Sequence, residues 1–108
     1  MRRATRSRKY EDPAFIAWLH EQGCIVTGRK PVTVHHCKRC PGGPREDRRG
    51  VPLIAELHML THAKNEGEPG YLGPCVERGR VLFEVWHKVN LENEIERLNK
   101  RYEGEHNA

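Results

Sequence analysis

The sequence predicts a small α+β domain, and three observations point there. Asp12-Pro13 opens a helical pattern near the start, with an acidic N-cap and proline at the first helical position. Short β-branched runs and Gly/Pro-rich stretches fill the middle. Two amphipathic stretches occupy the last third. At 108 residues, one domain is expected, residues 11–108, preceded by a flexible basic arm over residues 1–10.

Taken in order, Ala14, Phe15, Trp18 and Leu19 share one face of the first helix, and Gly23 ends it. Residues 24–27 and 32–34 read as two short strands, and the turn between them, residues 28–31, makes a hairpin. Residues 37–50 hold Pro41, Gly42, Gly43, Pro44 and Gly50 and read as a loop. Val51-Pro52-Leu53 is a short extended segment. Residues 55–64 then suit a helix, with Ile54, Leu57 and Leu60 along its apolar stripe. Residues 65–79 form a second loop. Val81, Leu82, Val85, Trp86 and Val89 mark a strongly amphipathic helix. Asn90 caps a last one carrying Leu91, Ile95, Leu98 and Tyr102 on one side.

Composition narrows the function classes. Charged residues make up 31% and the mean hydropathy is -0.83, with no apolar run of membrane-spanning length. The basic N-terminus is not followed by an apolar signal core, so a cytoplasmic protein without structural disulfides is expected. The net charge of +4 is modest, but it is clustered. Arg2, Arg3, Arg6, Arg8 and Lys9 crowd the start. Lys38, Arg39, Arg45, Arg48 and Arg49 lie in the Gly/Pro-rich loop. Such clusters suit a phosphate backbone, and Arg39, Arg45, Arg48 and Arg49 are the candidate nucleic-acid contacts.

The histidines carry the chemistry. His35-His36 ends a β-branched run, and His58 and His62 are spaced as helical neighbours. Imidazole binds divalent transition metals. A catalytic site takes about three protein ligands and leaves a position open. A fourth histidine outside the metal sphere can take a proton from water. The four cysteines leave alternatives open. Cys37-x-x-Cys40 suits a structural zinc, a pair of plain thiols or a redox motif.

The ordered set of residues resembles a family. Trp18, Val34-His35-His36, Asp47, Pro52-Leu53, His58 with His62, and Phe83-Glu84 with Trp86 together resemble the HNH, or ββα-metal, endonucleases. The wording is nearest to a phage and prophage branch that includes a RecA-dependent nuclease. The likeness covers roughly residues 12–100. It implies a ββα-metal core flanked by an N-terminal helix and C-terminal helices. It also implies hydrolysis of DNA phosphodiesters, leaving 5′-phosphate and 3′-hydroxyl ends.

By the same resemblance His35, His58 and His62 are metal ligands, His36 is the general base, and Asp47 orients the His36 ring. One divalent ion is implied, with zinc, manganese, nickel and magnesium all open, and Cys37 and Cys40 are candidates for a second, structural zinc. DNA is the implied partner, and a RecA–DNA filament a further one by analogy. The chain departs from the pattern in that its middle letter is not Asn, with Asp47 the candidate there, and Thr27, Ile54 and Leu57 stand where relatives often carry a metal-binding side chain. The alternative is a non-catalytic zinc-binding module for nucleic acid or protein, which would close a structural site with the same residues.

Overall fold

A computed structural model describes residues 10–106, and the expected basic arm over residues 1–10 lies, apart from Tyr10, outside the described residues. The chain runs through helix α1 (Pro13–Glu21), strand β1 (Thr33–His36), strand β2 (Gly50–Leu53), helix α2 (Ala55–His58), helix α3 (Arg80–His87) and helix α4 (Leu91–His106). This is the expected α+β class. No described helix is long and apolar enough to cross a membrane.

The start of α1 follows its sequence signals. The Asp12 side chain accepts from the Phe15 N–H at 3.2 Å, and Pro13 occupies the first turn. Phe15, Trp18 and Leu19 are its buried face. They pack with Val51, Leu53, Leu57, Phe83, Leu91 and Leu98 into one core. At the other end, the Asn90 side chain accepts from Asn93 N–H at 2.9 Å and starts α4, which buries Leu91, Ile95 and Leu98.

The sheet corrects the expected hairpin. Residues 24–27 form a turn, not a strand: Gly28 N–H bonds back to the Cys24 carbonyl at 2.8 Å. β1 pairs antiparallel with β2 across the long loop, His35 opposite Val51 and His36 opposite Gly50. The turn docks against this sheet through Ile25 N–H and the Pro52 carbonyl at 3.1 Å. Pro52 is tolerated because no third strand pairs with β2 among the described residues, so its missing N–H leaves no ladder partner unpaired. Gly50 is required by close approach: a Cβ there would lie 2.6 Å from Val34 Cγ1 and 3.1 Å from the Asp47 carbonyl oxygen.

The expected helix over residues 55–64 is also corrected. α2 ends at His58, Met59 is extended (φ -121°, ψ 139°), and Leu60–His62 forms a separate 3-10 turn. The helix stops where burial stops, because Leu57 is fully buried while Leu60 is half exposed. The Leu60 N–H is taken instead by the Glu77 carboxylate at 2.9 Å. Further on, α3 forms as expected but buries only Phe83, leaving Val81, Leu82, Val85 and Trp86 exposed. Its apolar stripe is thus largely uncovered among the described residues.

Candidate functional site

The long loop between the strands is held by two arginines. Arg48 Nε donates to Asp12 Oδ2 at 2.7 Å, and its Nη1 donates to Asn99 and Glu103 on α4. Its guanidinium also lies 5.0 Å from the centroids of the Phe15 and Tyr102 rings. Arg49 is buried, donates to the Cys37 carbonyl at 2.7 Å, and grips both carboxylate oxygens of Glu92. These two cations tie the loop to α4. Arg39 and Arg45 remain exposed, although Arg39 pairs with Glu46 at 2.9 Å.

Asp47 is placed by the same framework. Its backbone N–H donates to the Tyr10 carbonyl, and its Oδ2 accepts from the Asp12 N–H at 2.7 Å. Oδ1 lies 3.1 Å from His36 Nε2. A carboxylate only accepts, so His36 carries its proton on Nε2 and its lone pair on Nδ1. The contact expected from the sequence, Asp47 on His36, is therefore present. Both side chains are shielded, 11% and 18% exposed. They line a cavity of about 970 Å³ with Tyr10, Ile16, His20 and Arg45.

Strand alternation sends His35 to the opposite face. Its ring meets His58 edge-on, with centroids 5.3 Å apart. Thr33 shares that face. The Thr33 hydroxyl donates to the Leu53 carbonyl at 3.0 Å, so its oxygen accepts from His58 Nδ1–H at 2.6 Å. That assigns the His58 lone pair to Nε2. Burial, followed by the neighbouring His58 and His36, holds His35 down at about 4, so its imidazole is neutral at pH 7. Burial lowers His58 as well, with Glu77 opposing. The charge of His36 adds to the lowering of both rings.

His62 is not brought to this cluster as the sequence predicts. The break at Met59 removes the four-residue helical spacing, and the His62 side chain is exposed. The cysteines are likewise dispersed in environment. Cys24, Cys37 and Cys75 are buried while Cys40 is exposed, and all are free thiols. Burial pushes the Cys37 thiol up to about 11. No three His, Cys, Asp or Glu side chains among the described residues already converge as a metal-binding group. The chemistry of the donors nevertheless suits a divalent ion: two neutral imidazoles, one with its Nε2 lone pair unengaged, stand face to edge.

Two residues of this neighbourhood were not singled out from the sequence. Thr33 was legible in principle, since residues 33 and 35 of a strand share a face. Glu77 lies in a loop far along the chain, and no local pattern marks it. Comparison with protein-family models, with curated proteins and with solved structures finds no match.

Proposed function

We propose that this chain is a metal-dependent DNA endonuclease of the HNH type. The observation that carries the reading is the His36–Asp47 pair on one face of β1, with the neutral imidazoles of His35 and His58 in contact on the other. The order of elements, two antiparallel strands followed by a short helix, is compatible with a ββα arrangement.

In this reading His36 Nδ1 takes a proton from the attacking water, and the Asp47 carboxylate stabilises the imidazolium that results. The water oxygen bonds to phosphorus and the bond to the 3′ oxygen breaks, giving a 5′-phosphate and, after protonation from solvent, a 3′-hydroxyl. His35 and His58 would hold the divalent ion, which supplies charge neutralisation at the phosphate and the leaving oxygen. Thr33 keeps His58 turned so that Nε2 is its ligating atom. In this reading Arg45, exposed at the cavity that His36 lines, would meet a phosphate of the bound strand. A RecA–DNA filament as partner rests on the family resemblance alone.

The test is cleavage of supercoiled plasmid and of single-stranded DNA with magnesium, manganese, zinc and nickel, with His36→Ala in parallel. Metal-dependent cleavage by the wild type, absent from His36→Ala, is the expected result. Equal backgrounds from both proteins under every condition would sink the nuclease reading.

A further inference from the structure

We propose that the exposed apolar face of α3 is the contact surface of a two-fold homodimer, with α3 of one copy packed antiparallel on α3 of the other. The proposal stands apart from the nuclease reading.

The first observation is where the exposed apolar side chains lie. Val81, Leu82, Val85 and Trp86 are 72%, 46%, 72% and 51% exposed. Among the described residues only Leu60 joins them as a large exposed hydrophobic, and its N–H bonds to Glu77 just before α3. Steps of one and four residues place the four on one side of the helix. No charge interrupts them. The charged side chains of α3, Arg80 and Glu84, pair with each other, and both are also engaged at the start of α4, through Glu92 and the Leu91 N–H. A contiguous exposed patch of this kind marks an interaction surface.

The second observation is that Trp86 is held in place although half exposed. Its indole stands against Gly73, where a Cβ would collide with it. Tyr71 meets it edge-on, with ring centroids 6.2 Å apart. The neighbouring His87 Nε2 donates to the Pro74 carbonyl at 2.9 Å and fixes the end of the helix. A tryptophan already fixed in this way loses little freedom when covered, as suits an interface anchor.

Area and shape fit a second copy. With Leu60, Arg78 and Lys88 at the rim, the face offers on the order of 600 Å² per copy, so a pair buries about 1,200 Å², the lower edge of standard interfaces. In a two-fold contact every pairing occurs twice. Centred between Leu82 and Val85, the antiparallel arrangement sets Leu82 on Val85 and the large Trp86 on the small Val81. A parallel arrangement would set Trp86 on Trp86, and it would align the helix dipoles unfavourably. Other occupants fit less well. A phosphate backbone finds no cation on the stripe. Residues 1–9 carry five cations and, in Met1, one large apolar side chain.

Sedimentation equilibrium of the full chain tests this from ~1 μM to ~1 mM, with a dissociation constant of about 10–100 μM expected for an interface of this size. Val85→Glu and Leu82→Lys change exposed positions, so the fold is kept, and circular dichroism checks it. Each alone is expected to weaken association at least ~30-fold. Ala14→Glu, exposed on α1, is expected to associate as the wild type does. An equimolar mixture of Val85→Glu with Leu82→Lys is expected to regain the dimer, because the new carboxylate and ammonium then oppose each other across the contact. A wild type that stays monomeric throughout overturns the proposal. So does association that neither variant weakens, or a mixture that stays monomeric. None of these outcomes touches the nuclease reading, which DNA cleavage tests separately.

Discussion

Replacing Asp47 by asparagine exchanges one oxygen for an NH2 group at the centre of the proposed site. The two partners of Asp47 decide which way the new amide must face. Asp12 N–H requires an acceptor at 2.7 Å, so the amide oxygen takes the Oδ2 position. The NH2 group then faces His36 Nε2, 3.1 Å away in the wild type. The flipped amide would set two donors against each other at Asp12, at a cost of ~1–3 kcal/mol for the unsatisfied N–H. His36 is therefore driven to the other tautomer, with its proton on Nδ1 and no lone pair left to accept one from water.

Fold and packing are kept, so the stability change is expected to stay within ~1 kcal/mol. The cleavage rate is expected to fall by roughly 10²–10⁴, the scale of losing a correctly oriented general base. Single-turnover plasmid nicking measures the rate, and urea unfolding measures the stability. The nitrogen-15 shifts of the His36 ring identify the tautomer directly. An asparagine variant that cleaves at the wild-type rate, or a wild-type ring already protonated on Nδ1, refutes the reasoning.

Other perturbations follow from the same contacts. Thr33→Val removes the hydroxyl that receives His58 Nδ1–H and is expected to weaken metal binding about 10–100-fold, read by cobalt titration; unchanged affinity would show that His58 needs no such partner. Arg49→Met strands the buried Cys37 carbonyl and unpairs Glu92, for an expected loss of ~2–4 kcal/mol in urea unfolding; a loss below ~1 kcal/mol contradicts the clasp. His35 gives a pH dependence to the metal-free protein. Its folded value of about 4 lies below the ordinary 6.5, so the neutral ring favours the fold. That contribution is full above pH 6.5 and is lost as pH falls toward 4. A sealed site would make it ~3 kcal/mol; partial solvent access reduces the expectation to ~1–2 kcal/mol. The difference in unfolding free energy between wild type and His35→Asn, followed in EDTA, should narrow on acidification, and a constant difference refutes the assignment.

Local signals settled much of this protein in advance. Asp12 with Pro13 starts α1, and Asn90 starts α4, because capping is decided by residues within one turn of each other. The α+β class and the burial of Phe15, Leu19, Leu91 and Leu98 followed from apolar periodicity. The pairing of Asp47 with His36 was anticipated from the family resemblance and is present.

The remainder depended on partners distant along the chain. The turn over residues 24–27 looked like a strand because its composition suits one, but β1 takes β2 as its partner instead. α2 breaks after His58 because burial ends there and Glu77, 17 residues beyond Leu60, captures the next N–H. Arg48 and Arg49 read as surface cations until their acidic partners, Asp12, Glu103 and Glu92, are seen to fold back on them. The sequence by itself determined which residues cap, which alternate and which carry imidazole. Only the tertiary structure decided which of those imidazoles meet. The physical reason is one of range: capping and periodicity act within a turn or two of the chain, whereas a site of this kind is assembled from packing and charge between segments that the sequence keeps far apart.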